Sequence, residues 1–329
     1  MKVQQIIGVD LSKKTIDLVY SLTNNHLRID NSLFGFKQML EWIEHQKIDP
    51  SKILFVMEHT GLYSYCFEDF LQQHHIHFSK VNALSIKRSM GLVRGKNDKI
   101  DATRIASYGS EKRNKLSINE PGNPQVKRLQ MLNSTRRRLV KQRAGLICAI
   151  KEYKHIGILD KDILIRSQLT MRDGFDRQIQ LLEAEIKAII EKEESIKQNF
   201  NLLQSIKGVG KVVATAAIIK TNNFTRFNNA RKFSCFCGTA PFEHSSGTSI
   251  RGKTRVSHLA DKEMKTLLDL AAKSAIQYDK ELREYYLKRT YSGKSKMSTI
   301  NIIRNKILYR MFAVIKRQTP FIENYLQVA

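Results

Sequence analysis

The stretch that decides the fold lies near the start of the chain and reads Ile6-Ile7-Gly8-Val9-Asp10, an apolar run that ends in an acid. Residues 15–20 and 27–30 also read as strands, and turns rich in Asn, Lys and Ser separate the three segments. Connections this short predict that the three strands pair in antiparallel fashion.

Helix and strand patterns alternate after these strands. Residues 34–45 and 63–73 carry apolar side chains at helical spacing. Residues 53–57 form the continuous apolar run of a fully buried strand, and residues 76–81 are a further strand candidate. Three antiparallel strands followed by alternating helices and strands predict an α/β domain of the RNase H-like class over residues 1–118.

The remainder of the chain is predicted to be mostly helical. Pro121-Gly122-Asn123-Pro124 is a linker signal, and few Gly or Pro residues interrupt residues 124–199. Residues 175–200 indicate one long amphipathic helix, which pairs with a second subunit as a coiled coil or packs within its own subunit. Pairing between subunits is the favoured alternative. Residues 119–200 are therefore expected to form a helical coiled-coil segment.

The last block, residues 201–329, is expected to be a mostly α-helical domain. Residues 262–287 and 297–315 each indicate one helix, because apolar residues recur along one face. A loop rich in Ser, Gly and Arg is predicted between these helices and the earlier part of the block.

The charge of the chain predicts a polyanionic partner. The 329 residues include 56 Lys and Arg against 31 Asp and Glu, a formal net charge of +25. Nucleic acid is the first partner to expect and an anionic membrane the second. No apolar run approaches the roughly 20 residues of a membrane span. The four cysteines form no disulfide framework, so we expect a cytoplasmic protein, associated with the nucleoid.

Four acids form the strongest candidate site. Asp10 ends the first strand, Glu58 ends a later buried strand, and Asp98 and Asp101 share one face of a helix if it starts there. Carboxylates that converge in this way repel one another unless a cation lies between them. Two divalent ions in such a site, Mg²⁺ or Mn²⁺, are the usual machinery of phosphodiester chemistry. Each acid alone also has a structural explanation, such as a helix cap or an ion pair.

A glycine turn in the last block is a candidate phosphate contact. Lys207-Gly208-Val209-Gly210-Lys211 lies between two helical segments and resembles a helix-hairpin-helix turn. Backbone N–H groups of such a turn, with the following helix N-terminus, face a phosphate. The alternative is an ordinary turn with glycines at the helix cap.

Two basic stretches are further candidates for contact with nucleic acid. Arg136 and Arg137 begin a cationic strip on the middle helix, for which a merely solvated face is the alternative. Residues 238–255 combine small residues and hydroxyls with Arg251, Lys253 and Arg255. Composition alone favours a flexible loop that touches the DNA backbone there over a nucleophilic serine.

Taken together, these motifs resemble the DEDD transposases of insertion sequences, which include pilin-gene invertases and bridge-RNA-guided recombinases. The resemblance rests on the order of the four acids, and especially on residues 96–102. It continues in Leu203-x-x-Ile206-x-Gly208-Val209-Gly210 and in Gly238-x-x-Pro241-x-x-x-x-Ser246-Gly247-Thr248. The match covers nearly the whole chain, in the right order and at the right separations.

The resemblance implies a function and a mechanism. The first domain would be RuvC-like and hold Mg²⁺ at Asp10, Glu58, Asp98 and Asp101. The last domain would carry a catalytic serine at Ser246, with Ser245 as the neighbouring alternative. The family implies a covalent phosphoserine link, a homodimer or homotetramer, and a guide (bridge) RNA that pairs with donor and target DNA. A RuvC-like junction nuclease and a non-catalytic nucleic-acid-binding protein are the alternatives.

Overall fold

A computed structural model describes residues 5–49, 52–59, 61–91, 95, 97–119, 122–246 and 250–323. The chain divides into two compact units, Met1–Pro121 and Gly122–Ala329. None of the helices in the described part of the chain combines the length and the apolar composition that a bilayer crossing demands.

The first unit is built on a mixed five-stranded sheet. Its strands are β1 Gln5–Leu11, β2 Thr15–Tyr20, β3 His26–Asp30, β4 Ile53–Glu58 and β5 His77–Val81. They lie in the order β3-β2-β1-β4-β5. The first three strands pair antiparallel, whereas β1, β4 and β5 pair parallel. The α/β character predicted for this part of the chain is therefore confirmed.

Different helices cover the two faces of this sheet. The helices of the unit are α1 Leu33–His45, α2 Tyr65–Gln73, α3 Ala83–Ser89 and α4 Asp98–Lys112. Phe36 of α1 and Phe67 of α2 pack with Phe55 of β4 on one face. Ile86 of α3 and Ile105 of α4 belong to a separate core on the other face.

Strand β1 and helix α4 approach each other almost backbone to backbone. A Cβ atom placed on Gly8 would overlap the Ala102 carbonyl oxygen and lie 2.7 Å from the Ala106 Cα. Farther along α4, a Cβ on Gly109 would lie 2.7 Å from the Ile6 side chain. Helix α4 therefore runs antiparallel to β1, and its first turn lies towards the C-terminal end of that strand.

The second unit is mostly helical. Its helices are α5 Pro124–His155, α6 Ile163–Lys192, α7 Glu194–Gln204, α8 Lys211–Thr221, α9 Ala230–Phe236, α10 Lys262–Tyr278, α11 Lys280–Tyr291 and α12 Lys296–Arg317. Two strands, β6 Pro241–Ser246 and β7 Ile250–Val256, form an antiparallel hairpin. Leu129 of α5 and Ile190 of α6 belong to the same core as Ile218 of α8 and Leu308 of α12. The helices treated in the sequence as a separate middle segment thus share a core with the rest of this unit.

Two helices predicted as continuous are each broken at one acidic residue. The prediction of one helix over residues 175–200 is wrong, since Glu193 has an extended backbone (φ −100°, ψ 102°) that ends α6 and precedes α7. The prediction over residues 262–287 fails at the buried Asp279, whose side chain caps α11 by accepting a hydrogen bond from the Leu282 N–H (2.9 Å). Apolar periodicity continues across both breaks, so the pattern alone does not reveal them.

The apolar face of α6 lies partly within its own subunit. Ile186, Ile189 and Ile190 are buried in the core that Val126 and Leu129 of α5 also enter. This is the alternative to intersubunit pairing that the sequence left open. A coiled coil with a second subunit stays a prediction for the remaining length of α5 and α6.

The loop predicted over residues 238–255 is largely the β6–β7 hairpin. Pro241 lies opposite Val256 at its root and Ser246 opposite Ile250 near its tip, with a register shift between Phe242 and His244. The small and polar composition hides the strands. Hydroxyl and β-branched residues such as Thr and Ile nevertheless fit a pleated ribbon.

The contact between β1 and α4 makes a prediction about stability. Gly8→Ala is expected to lower the free energy of unfolding by about 3 kcal/mol, because the added methyl group has to push the backbone of α4 away. Gly145→Ala is the matched control, since Gly145 lies on an exposed part of α5 and its added Cβ would meet nothing within 4 Å. That change is expected to raise stability by up to about 1 kcal/mol. Chemical denaturation measures both, and a Gly8→Ala protein as stable as the unmutated chain would contradict the contact.

Candidate active site

Asp10 and Glu58 end two adjacent parallel strands. Val9 pairs with Met57 in the register of β1 and β4, so Asp10 and Glu58 occupy the next position on each strand. Side chains alternate along a strand, and Asp10 therefore points to the same face as Gly8, the face that α4 covers. Glu58 stands at the matching position of the neighbouring strand and shares that face.

Helix α4 brings two further acids to the same place. Its first turn begins after Asn97, whose side chain caps the helix by accepting a hydrogen bond from the Ile100 N–H (2.7 Å). Asp98 and Asp101 both lie in this turn. Because α4 runs antiparallel to β1 in close contact, its start lies near the strand end that carries Asp10.

The electrostatics of Asp10 report how closely the acids converge. Partial burial, followed by repulsion from Asp101, Asp98, Glu58 and Asp17 in that order, raises the pKa of Asp10 from its ordinary 3.8 to about 6. Every predicted acid of the set thus contributes to the potential at one carboxyl group. The structure therefore places the other three acids close enough to raise the pKa of Asp10.

Two arginines balance part of this charge. Arg28 of β3 forms an ion pair with Asp98 (3.2 Å), and Arg104 forms one with Asp101 (2.8 Å). The Arg28–Asp98 pair is weak, since both side chains are 55% exposed and such surface pairs contribute about 0–1 kcal/mol. The Arg104–Asp101 pair is more buried, and Arg104 also donates to the Gly95 carbonyl oxygen (2.8 Å).

The donor set fits a hard divalent cation in its chemistry. All four side chains offer carboxylate oxygens, the ligands that Mg²⁺ and Mn²⁺ prefer. Within the described residues, however, no three acidic, His or Cys side chains stand in an arrangement that could hold an ion as they are. The raised pKa of Asp10 reflects its partial burial first and the repulsion from neighbouring acids second. Opening the weak Arg28–Asp98 pair would free the Asp98 carboxylate.

The hairpin places the predicted serine at the end of a strand. Ser246 is the last residue of β6, and the preceding Ser245 lies opposite Arg251 of β7. Arg255 is exposed opposite Phe242, nearer the root. The side chains of residues 244–251 and of Lys253 lie outside the described part of the structure, as do Lys96, Gly247 and Thr248 of the quoted motifs.

Comparison with known proteins decides the family. Residues 7–153 match a family model of transposases, the DEDD transposases of the IS110 type. Residues 200–287 match a second family model, described as the transposase IS116/IS110/IS902 family. The chain belongs to the IS110 family of DEDD transposases. It is an enzyme that acts on DNA.

Full-length relatives agree with this assignment. The transposase is 27% identical over 328 residues to the pilin gene-inverting protein of Moraxella bovis, covering 96% of this chain and 97% of the relative. It is 24% identical over 257 residues to the transposase for insertion sequence element IS1111A of Coxiella burnetii, covering 69% and 68%. The chain is also 27% identical over 328 residues to the pilin gene-inverting protein of Moraxella lacunata.

The glycine turn of the transposase is shaped by packing against a neighbouring helix. Gly208 has a φ of +90°, and an added Cβ would lie 2.5 Å from the Ala271 carbonyl oxygen of α10. Gly210 precedes α8 without a side-chain cap, and Lys211 is the exposed first residue of that helix. Lys207 forms an ion pair with Glu323 (2.5 Å). Packing therefore explains Gly208, while phosphate binding by this turn stays a prediction.

The arginines predicted to face nucleic acid are bonded to acids of the same unit. Arg136 pairs with Glu183 of α6 (2.6 Å), and Arg137 pairs with Glu263 of α10 (2.8 Å). These contacts fasten α5 to its neighbours. In the same strip, the exposed Arg138 and Lys141 form no ion pair within the described residues, which makes them better candidates for phosphate contact.

Positive charge is concentrated in the second unit of the transposase. Residues 122–329 hold 39 Lys and Arg against 18 Asp and Glu, whereas residues 1–121 hold 17 against 13. Long-range attraction to a polyanion therefore comes mainly from residues 122–329. DNA is the polyanion that a transposase handles.

Three further residues that shape the acid cluster were not predicted from the sequence. Asp17 is buried opposite Asp10 in the β1–β2 register and bonds to His26 (2.7 Å). Arg28 and Arg104 supply the counter-charges described above. The spacing of Arg104 three residues after Asp101 was a usable signal. The role of Arg28 could not be predicted from the sequence, because its contact with Asp98 depends on how β3 pairs with β2.

The raised pKa of Asp10 predicts how stability depends on pH. Since the folded pKa (about 6) lies above the ordinary 3.8, ionisation of Asp10 destabilises the fold at neutral pH, and this penalty disappears as the pH falls from about 6 to 4. Asp10→Asn is therefore expected to be more stable than the unmutated chain at pH 7.5, by about 1 kcal/mol at this partly solvent-screened site, and to lose that advantage at pH 4. Denaturation at both pH values without divalent metal measures the difference. A pH-independent difference would contradict the prediction.

Proposed function

We propose that this transposase cuts and rejoins DNA strands through a covalent intermediate on Ser246, with divalent metal ions held by Asp10, Glu58, Asp98 and Asp101. The observation that carries the proposal is geometric: Asp10 and Glu58 end adjacent parallel strands, and the first turn of α4, which carries Asp98 and Asp101, lies towards the same end of β1. The order β3-β2-β1-β4-β5 supports an RNase H-like, and in this family RuvC-like, domain that holds this site. In such domains, acids at strand ends serve phosphodiester chemistry.

The serine half of the proposal is supported by the placement of β6. The strand ends at Ser246, and the partner strand β7 carries Arg251, Lys253 and Arg255. Cations beside a serine favour the binding of a phosphate and the charge that develops on it. Ser246 belongs to the Ser-Gly motif on which the family resemblance rests.

The proposed step exchanges one phosphodiester bond for another. The Ser246 Oγ loses its proton and bonds to phosphorus, the P–O3′ bond breaks, and the departing 3′ oxygen takes up a proton. The product is a 5′ phosphoserine and a free 3′ hydroxyl. Attack of a different 3′ hydroxyl on the phosphoserine reverses the step and joins new partners. Metal ions bound at the acids would neutralise the carboxylates and polarise the phosphate oxygens.

Each group of the chain has a separate task in this scheme. Asp10 and Glu58 are fixed by the sheet, whereas the ion pair of Asp98 with Arg28 is exposed and therefore easily exchanged. The cations of residues 122–329 hold the phosphate backbone without reading its sequence. DNA is thus the common substrate that both units have to engage.

Sequence choice is proposed to come from a guide RNA. The relatives from Moraxella are named for inverting a pilin gene, and the one from Coxiella for an insertion sequence, so the family members named there act on different DNA segments. A guide RNA that pairs with donor and target DNA supplies such choice without a dedicated reading helix. A homodimer or homotetramer, which would bring several strand ends together, stays a prediction.

Metal binding at the acids is tested by thermal stability. Mg²⁺ or Mn²⁺ at about ten times its dissociation constant is expected to stabilise the fold by about 1.4 kcal/mol, raising the melting temperature by roughly 3 °C. Asp10→Asn is expected to lose most of this shift. Glu41→Gln is the matched control, because Glu41 is an exposed acid on α1, which covers the opposite face of the sheet. Equal metal shifts in the Asp10→Asn and Glu41→Gln proteins would contradict the site.

The covalent step is tested by trapping. Protein, RNA copurified with it and a DNA carrying the element ends are incubated with Mg²⁺, and a protein–DNA adduct is sought on a denaturing gel. Ser246→Ala is expected to abolish the adduct, whereas the matched control Ser245→Ala retains it. Prior RNase treatment is expected to remove the adduct from the unmutated protein. DNA cutting that persists without an adduct in Ser246→Ala would instead identify a junction nuclease that hydrolyses DNA.

A further inference from the structure

A buried residue just before β6, Thr239, helps to join the hairpin that carries Ser246 to the rest of its unit. This side chain has no exposed surface. The Thr239 carbonyl oxygen accepts hydrogen bonds from the Nδ2 atoms of Asn301 and Asn305, both at 2.8 Å. The Thr239 hydroxyl lies 2.8 Å from the Asn305 Oδ1, to which it donates, and 3.3 Å from the Ser234 carbonyl oxygen.

The two asparagines belong to a polar stripe on the inner side of α12. Asn301, Arg304 and Asn305 follow one another at helical spacing, next to the fully buried Ile303 and Leu308. Arg304 has its own partner in Asp269 of α10. Asn301 and Asn305 are half-buried, and amides at such positions stabilise a core less than well-packed apolar side chains, so their presence points to a geometric requirement. The requirement that the two asparagines meet is to hold Thr239 in a fixed position.

The root of the hairpin is fixed on both sides. Gly238 has a φ of +64°, and an added Cβ would overlap the Ala260 side chain. Beyond β7, the Asp261 N–H donates to the Phe236 carbonyl oxygen (2.9 Å) and the Asp261 carboxylate pairs with Lys220 (2.8 Å). The hairpin itself has only two strands, with Phe242 exposed, and ribbons of this kind are marginally stable on their own.

We propose that Asn301 and Asn305 are positioning residues for Ser246, because they fix Thr239 and with it the direction of β6. The proposal rests on the proposed role of Ser246. Seven residues of extended chain between Thr239 and Ser246 span about 23 Å, so a rotation of about 5° at the root moves the serine by about 2 Å. A displacement of even 1 Å at a reacting atom lowers a rate by up to about 100-fold. The hydrogen bonds from Asn301 and Asn305 to Thr239 would therefore affect the reaction rate through the position of Ser246 and not through contact with DNA.

The experiment compares Thr239→Val with Thr239→Ser. Valine keeps the shape but removes the hydroxyl, which leaves the Asn305 Oδ1 without its donor, whereas serine retains it. Hydrogen exchange read by mass spectrometry follows the amides of β6 and β7, and adduct formation is followed at several DNA concentrations. Thr221→Val is the matched control, because Thr221 is an equally buried threonine of α8 whose hydroxyl donates to the Ala217 carbonyl oxygen (2.7 Å).

In Thr239→Val, we expect exchange in β6 and β7 to be at least tenfold faster while α10 and α12 stay protected. The adduct is expected to form at least tenfold more slowly at saturating DNA, with an unchanged half-saturating concentration. Thr239→Ser should restore both measurements, and Thr221→Val should change neither. Unchanged exchange and adduct rate in Thr239→Val would overturn the proposal.

The exchange measurement separates this proposal from the one on which it rests. If Ser246→Ala still forms the adduct, the serine mechanism fails, and the exchange data alone decide whether Thr239 fixes the hairpin. If Ser246→Ala abolishes the adduct but Thr239→Val reacts normally, only the positioning role fails. Should Thr239→Val not fold, Asn301→Ala removes one of the two amide donors and keeps the hydroxyl bond to Asn305, and the same two outcomes apply.

Discussion

The backbone contact between β1 and α4 is the constraint on which the acid cluster depends. Gly8 has no side chain, so the Ala102–Ala106 turn of α4 lies directly on the strand. Any larger residue at this position would lift the helix and withdraw its first turn from Asp10. Three separate pieces of chain, two strand ends and one helix start, meet only because this approach is so close. The glycine is therefore as much a part of the site as the carboxylates are.

Such a cluster is held together by the fold against its own repulsion. The repulsion contributes to the raised pKa of Asp10. Arg28 and Arg104 reduce it by pairing with Asp98 and Asp101. Their contributions differ, because Arg104 is anchored at a backbone carbonyl oxygen while Arg28 is mostly exposed. Sites of this kind are less stable than the fold could be without them, which is the usual relation between a functional cluster and stability. Without a bound cation, the repulsion among the acids favours the binding of positive charge.

Much of the first unit could be predicted from the sequence, because the signals there are local. Apolar runs and short turns predicted the strands and the antiparallel pairing of the first three, and the acids at the strand ends were expected to converge. The Arg28–Asp98 pair could not be predicted, since it depends on the register of β3 seventy residues away from its partner. The breaks at Glu193 and Asp279 were hidden because the apolar period runs across them. The β6–β7 hairpin could not be recognised from the sequence, because Ser, Gly and Thr are common both in loops and in two-stranded ribbons.

In the proposed mechanism, divalent ions at the acids would have a second task beyond chemistry. A phosphate that approaches four carboxylates is repelled, and residues 1–121 offer only a small positive excess to offset this. Residues 122–329 hold most of the positive excess, with 39 Lys and Arg against 18 Asp and Glu. Since screening confines such forces to about 10 Å at ordinary salt, positive charge bound within the cluster itself offsets this repulsion most effectively. Entry of the scissile phosphate and binding of the divalent ions are therefore expected to be coupled events.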